Sequence, residues 1–235
     1  MIANSNPEPD LSRLARTIGD PSRIRMLTLL MEGRALTAKE LAYGAGVEPA
    51  TASAHLRRLE QDALVTATAQ GRHRYFRLAS PQVAQLVEAL MAMSPPVKPQ
   101  RAGANADAPI RLARFCYDHL AGRLGTRLTA VLLERGLLCI DGKAFAVTAA
   151  GESWFQSFGI DLASLRAGRR QLAHQCLDWS ERKDHLAGAL GAAMAQRMLE
   201  LGWITRQKSS RVVSITESGH DGLQRQFGLS LQSEV

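Results

Sequence analysis

Apolar residues recur at helical spacing through the first third of the chain, and capping residues, glycines and prolines interrupt them at intervals. The pattern predicts a short amphipathic helix over Leu11–Ile18. A second starts at Asp20-Pro21-Ser22, with aspartate as N-cap, proline at the first helical position and Ile24, Leu27, Leu30 and Met31 as its apolar face. Thr37-Ala38-Lys39-Glu40 reads as a capping box opening a third helix. Gly44-Ala45-Gly46-Val47 ends that helix in a tight turn, and Pro49 opens a fourth with Ala52, Leu56 and Leu59 as its buried stripe.

Beyond residue 60 the period changes. Leu64–Thr68 and His73–Leu78 read as two strands around Ala69-Gln70-Gly71-Arg72, a hairpin. Pro81–Met93 is a strongly apolar helix whose broad coverage suits a subunit interface. Four helices, a hairpin and a final helix are the order of a winged helix. Ser94–Pro109 holds four prolines and almost no large apolar residue, so it reads as a linker.

The remainder contains an internal repeat. Asp118-His119-Leu120-Ala121-Gly122-Arg123-Leu124-Gly125 recurs as Asp184-His185-Leu186-Ala187-Gly188-Ala189-Leu190-Gly191. Glu134 and Gly136 match Glu200 and Gly202, Thr148 and Gly151 match Thr216 and Gly219, and Phe158-Gly159 matches Phe227-Gly228. Each copy reads as a long helix, a glycine-terminated end, a short hairpin (Leu138–Val147; Ile204–Ile215) and a threonine-capped helix. The fold class is mainly α with small β-hairpins (α+β). Its expected domains are 1–93, a linker 94–109, and 110–235 built from two winged-helix-like helix–hairpin–helix repeats at about 116–160 and 182–229.

Charge agrees with the reading surface. The chain carries +7 with a pI near 9.8, which favours a polyanionic partner. Arg57, Arg58, Arg72, Arg74 and Arg77 crowd the fourth helix and the hairpin, although basic residues continue through the C-terminal half. No apolar run approaches the roughly 18 residues of a membrane helix. The first ten residues are polar and hold two prolines, unlike a signal peptide. Three cysteines, Cys116, Cys139 and Cys176, form no disulfide framework, so a cytoplasmic location is expected.

The N-terminal 93 residues resemble the ArsR/SmtB family of winged-helix repressors. The carrying stretches are Gly19–Leu27, Thr37–Ala42, Thr51–Leu59 and, for the wing, Gly71–Leu78. The resemblance implies a cytoplasmic homodimer that binds a palindromic operator in double-stranded DNA until a signal releases it. It places Thr51, Ser53 and His55 toward bases, Arg57 and Arg58 toward bases or phosphates, and Arg72, His73 and Arg74 on the wing. The sequence departs from the family at the inducer sites. One family metal site puts a Cys-x-Cys pair in the first helix of the reading unit, but Glu40-Leu41-Ala42-Tyr43-Gly44 has no thiol. The other uses Asp and His on the last dimer helix, and Pro81–Met93 contains neither.

The effector is therefore sought in the C-terminal repeats, as a small molecule, a metal or a redox signal; the cofactor itself stays unknown. Cys116 and His119 would share a face of a predicted helix, His174 and Cys176 are close in sequence, and His185 is the repeat partner of His119. Converging thiolates and imidazoles would suit a zinc-like or thiophilic metal, and a reactive thiol would suit a redox switch. Against this, buried cysteines usually act as small apolar side chains, and Gly122, Gly125, Gly188 and Gly191 would serve close packing. Packing carries more weight on sequence alone. The aromatics Trp154, Trp179, Trp203, Phe115, Tyr117, Phe145, Phe155 and Phe158 read as an effector pocket or, more simply, as core. The function expected is a DNA-binding regulator, not an enzyme. The alternatives are a DNA-bound scaffold whose repeats recruit a protein, or an enzyme with an accessory winged helix. No nucleophile elbow or phosphate loop supports the last.

Overall fold

The punctuation read from the sequence sets the N-terminal elements. In a computed structural model, the structure describes residues 9–71, 73–94, 109–207 and 210–231. The linker lies largely outside the described residues, as do Arg72 and Lys208. The chain forms two units, Met1–Leu30 with Arg34–Val83, and Met31–Gly33 with Ala84–Val235.

In the first unit, α1 (Leu11–Ile18) is capped by Asp10, whose side chain accepts from the Arg13 amide at 2.9 Å. Asp20 Oδ1 accepts from the amides of Ser22 and Arg23 ahead of α2 (Pro21–Leu30). The strand β1 (Leu36–Thr37) leads into α3 (Ala38–Ala45), where both arms of the Thr37–Glu40 capping box form. Gly46 closes α3 at φ +68°, a conformation that a side chain would strain. α4 (Pro49–Gln61) starts on its proline, and Ala52, Leu56 and Leu59 are buried along with Met26, Leu27, Leu30 and Leu41. Each large side chain so buried contributes about 1.5–3 kcal/mol.

β2 (Val65–Gln70) and β3 (His73–Leu78) pair antiparallel, with Gln70 opposite His73 and Gly71 at φ +57° in the two-residue loop. β1 adds to β3, giving the order β1-β3-β2. At two residues, β1 is too short to leave a periodic signal. Asp62 locks α1 to the end of α4: its carboxylate accepts from Arg13 Nε at 2.6 Å, Thr17 Oγ1 and Arg58 Nε at 3.2 Å.

α5 (Pro81–Met93) contains the division between the units. Its apolar face is partly consumed within the chain, with Val83, Ala84, Val87 and Ala92 buried. After it, two stretches of the second unit run through the same order of elements. The first is α6 (Pro109–Leu112), β4 (Arg114–Cys116), β5 (His119–Ala121), α7 (Gly122–Glu134), β6 (Leu138–Asp141), β7 (Ala144–Val147) and α8 (Ala149–Ser157). Following α9 (Leu162–Ala167) come β8 (His174–Leu177), β9 (Asp184–Ala187), α10 (Gly188–Glu200), β10 (Ile204–Arg206), β11 (Val213–Ile215) and α11 (Glu217–Phe227). Thr148 and Thr216 cap α8 and α11, each accepting from a glycine amide three residues on.

The two stretches exchange strands. β8–β9 joins β6–β7 in one four-stranded sheet through Ala144 and His174, while β4–β5 meets the β11 end through Arg114 and Val212. A shared core of Phe115, Leu124, Leu132, Phe155, Leu190, Met198 and Phe227 fills the space between them. Phe158 packs against Trp154, Trp203 and Phe227, so most of the aromatics are core.

The structure corrects one helix. Cys116 and His119 are cross-strand partners of a tight hairpin, not neighbours on a helix face. Tyr117 takes φ +62° in its turn, and Gly122 takes φ +75°, so the helix begins only after the repeated His-Leu-Ala has run as strand. Gly122 and Gly188 therefore serve a strand-to-helix corner instead of helix packing.

Asp62→Ala is expected to destabilise the first unit by about 1–3 kcal/mol, read by urea denaturation. The Thr17 hydrogen bond, with Arg13 and Arg58, holds the Asp62 carboxyl below its usual range despite burial. That contribution is present above the ordinary carboxylate pKa and is lost as pH falls through the lowered one, so the gap between wild type and variant should close in acid.

Candidate functional site

Two sites emerge, one in each unit. On α4 the buried stripe fixes the rotation of the helix, leaving Thr51, Ser53, Ala54 and Arg57 exposed. Ser53 Oγ donates to the Pro49 carbonyl at 2.9 Å. His55 and Arg58, the other two α4 residues expected at DNA, also make contacts within the unit. His55 Nδ1 lies 3.3 Å from Arg23 Nη1 and 3.9 Å from Asp20 Oδ1, and Arg58 Nε lies 3.2 Å from both Thr17 Oγ1 and Asp62 Oδ2. On the wing, His73 and Arg74 are exposed; Arg74 Nη2 reaches Glu60 Oε1 at 2.8 Å, and its guanidinium stands over Phe76. Arg72 falls outside the described residues. Tyr43 on α3 is 90% exposed, an aromatic on the same unit that the sequence reading left aside.

In the second unit, four of the five sensor candidates converge. Cys116, His119, Cys176 and His185 are all buried, and their donor atoms lie within 4.8 Å of one another. The Cys116 and Cys176 sulfurs are 3.9 Å apart, and the His119 and His185 Nε2 atoms 3.2 Å apart. Symmetry of position explains the meeting: Cys116 faces His119 across β4–β5, and Cys176 faces His185 across β8–β9. A Cβ on Gly125 would stand 3.6 Å from the Cβ of His185, and one on Gly191 3.2 Å from that of His119. Both would also strike backbone carbonyls, at 2.3 and 2.4 Å. Packing and convergence, weighed as rivals from the sequence, are one arrangement.

His174 is not brought in. Its Nδ1 lies 3.1 Å from the Gln175 carbonyl, and the ring lines a groove of about 460 Å³ with Glu88, Ala92, Met93 and Cys176. That groove gives one side of the cluster an approach from solvent. Cys139 is exposed on β6 and takes no part.

Carboxylates back the imidazoles. Asp118 Oδ1 is 3.4 Å from His119 Nδ1, and both oxygens of Asp118 are held by Arg170. Asp178 Oδ2 is 3.9 Å from His185 Nδ1 and accepts from Arg114 Nη2 at 2.8 Å and the Gly122 amide at 2.6 Å. Ser180 and Glu181 amides reach its other oxygen. Sequence reasoning missed Asp178 and Arg114. They lie 64 residues apart without periodicity, and only the adjacency of Asp118 to His119 hinted at such support. Glu88, on the helix read as apolar, is also buried, 3.2 Å from Arg211 Nη1. Arg206 stacks on Phe115, and Arg211 is buried.

These contacts polarise the cluster. Burial drives the Cys116 thiol well above its usual range, and its hydrogen bond to Cys176 adds to this. The same bond, against burial, draws Cys176 down, with His119 and His185 helping. Burial opposes charge on His119, yet Asp118 and Cys176 outweigh it and raise the imidazole to about 9. Asp118 falls to about 2, because His119 and Arg170 overcome its burial. Cys176 is thus favoured as thiolate, the form that nucleophilic and metal chemistry uses.

A helix–turn–helix with an exposed arginine on its second helix and a hairpin wing defines a DNA-binding transcriptional regulator. A helix-turn-helix domain model matches residues 18–67. The chain is 39% identical over 224 residues to the uncharacterized HTH-type transcriptional regulator YdfF of Bacillus subtilis, covering 95% of this chain and 99% of that one. It is 33% identical over 97 residues to the HTH-type transcriptional regulator CmtR of Mycobacterium tuberculosis, covering 40% of this chain and 81% of that one. The homodimeric winged helix-turn-helix DNA-binding domain of a possible ArsR-family regulator from Mycobacterium bovis is 27% identical. That match covers 36% of this chain and 85% of the other, with a TM-score of 0.32. The protein belongs to the ArsR/SmtB family of winged helix-turn-helix transcriptional regulators.

Asp178→Ala would leave Arg114, fully buried, without its counter-ion. A loss of about 3–5 kcal/mol is expected in chemical denaturation of the full chain.

Proposed function

We propose that the protein is a cytoplasmic homodimeric repressor of a palindromic operator, released when the C-terminal unit senses a signal at Cys116, His119, Cys176 and His185. The carrying observation is the presence, in one chain, of an exposed reading face on α4 and a buried, convergent Cys/His cluster. Thr51, Ser53 and Arg57 meet the bases; Arg72, His73 and Arg74 track the backbone. His55 and Arg58, engaged with α1 and α2, set the pitch of the reading helix. A dimer follows from specificity: one short recognition helix reads too few base pairs, and two half-sites make a palindrome.

Several features support sensing over catalysis. The donors are 0–8% exposed, which suits an ion or a small reactive signal better than a bulky substrate. Among the described residues no helix is long and apolar enough to cross a membrane. The equal order of elements in residues 116–160 and 182–229 supports reading the C-terminal unit as two copies of one helix–hairpin–helix module. A site with one Cys/His pair per copy reports on how the copies meet. Glu88 of α5 provides an outlet, because its carboxylate interacts with both Cys116 and Arg211.

Operator binding tests the reading. Arg57→Ala should weaken a promoter fragment containing the palindrome by about 1–3 kcal/mol, and Arg74→Ala should lower the salt slope by about one unit. Unchanged affinity and salt dependence in both variants would reject the repressor reading.

A further inference from the structure

Two edges of the cluster have the lengths of a tetrahedral coordination shell, and the widest donor pair, within 4.8 Å, would be drawn in by an ion. Zinc binds thiolate sulfur at about 2.3 Å and imidazole nitrogen at about 2.0–2.1 Å. In a regular tetrahedron those bonds set a sulfur–sulfur edge of about 3.8 Å and a nitrogen–nitrogen edge of about 3.3 Å. The protein presents 3.9 Å and 3.2 Å. A disulfide would need its sulfurs drawn in to about 2.05 Å.

The surroundings point the same way. Both Nε2 atoms face the centre while the Nδ1 atoms face Asp118 and Asp178, the arrangement that orients ligating histidines. His185 Nδ1 is buried and has no hydrogen-bond partner among the described residues. It lies 3.9 Å from the Asp178 carboxylate, which a bound ion would draw closer by making the ring a stronger donor. Two thiolates balance the charge of a divalent ion, and the donor set holds no oxygen for calcium or magnesium.

We propose that Cys116, His119, Cys176 and His185 bind one zinc-class divalent ion, Zn²⁺ or Cd²⁺, tetrahedrally, as a clamp joining the two halves of the C-terminal unit. The site lies outside the two helices that carry the family's metal ligands. Each half supplies one strand-borne Cys/His pair, so neither half alone offers more than two donors. The groove beside Cys176, with His174 at its wall, is the path by which the ion enters. That this ion is also the releasing signal rests on the repressor reading above.

The full-length protein, titrated with Co²⁺ as a spectroscopic probe, tests the site directly. One equivalent should bind with thiolate-to-cobalt charge transfer and the intense visible bands of tetrahedral cobalt, and Zn²⁺ should displace it. Cys116→Ser and Cys176→Ser should weaken binding at least about a hundredfold, and Cys139→Ser should leave it unchanged. Because either serine variant can misfold, the wild-type titration decides: no stoichiometric tetrahedral cobalt, or a Cys116–Cys176 disulfide formed in its place, overturns the site. Operator affinity measured with and without Zn²⁺ then separates the two readings. A tenfold or greater weakening supports the ion as signal. Full metal binding with unaltered operator affinity overturns the signal and leaves the clamp standing.

Discussion

Everything in the C-terminal unit depends on the close approach of two β-hairpins, and that approach depends on missing Cβ atoms. Gly125 and Gly191 stand beside His185 and His119, each on the helix of the opposite half. A side chain at either glycine would first strike the carbonyl of its own half's strand, Leu120 or Leu186, and across the halves only Gly191, 3.2 Å from the His119 Cβ, is tight. Thr129 reinforces the fit by accepting from the other half: the Leu186 amide donates to its Oγ1 at 2.8 Å. The two glycines thus allow each strand-to-helix corner to close, beside the point where the four donors converge.

The N-terminal unit was legible because its signals are local. A capping box, a proline at the first helical position and a hairpin glycine each act within four residues, and each fixes a boundary without tertiary help. The contacts that His55 and Arg58 make within the unit were not legible, since helical position does not reveal partners on other elements. His55 lies 3.9 Å from Asp20 ahead of α2, and Arg58 lies 3.2 Å from Asp62 at the end of its own helix. In the C-terminal unit the repeat identified His119 and His185 as partners, but the helix assigned to Cys116 was wrong. Asp-His-Leu-Ala is compatible with helix by propensity, and only pairing with a second strand makes it extended. The cluster consequently formed through a hairpin register that periodicity does not encode.

Electrostatic support followed the same rule. Arg114 and Asp178 are fully buried and hold Gly122, the corner where β5 becomes α7. A buried pair of this kind adds little net stability compared with apolar packing, but it specifies geometry, because the carboxylate satisfies several donors only in one arrangement. Trp179 stacking on Arg114 narrows that arrangement further. The pair thus fixes where His185 sits relative to His119, a task for which hydrophobic packing is less directional.

A ligand shifts an equilibrium only by the difference in its affinity for two states. The four-donor centre provides such a difference by construction. When the halves meet as they do here, a tetrahedral ion finds four donors; when they part, it finds two. The thermodynamic weight of the joined form therefore rises with free metal as RT ln(1 + [L]/Kd), about 2.7 kcal/mol at a hundred times Kd. Glu88 is the α5 residue placed to feel that change, since its carboxylate interacts with Cys116. Its Oε2 has no hydrogen-bond partner among the described residues, while Oε1 is tied to Arg211. A group half satisfied in a buried place is sensitive to a neighbouring charge, because there is no water to screen the change.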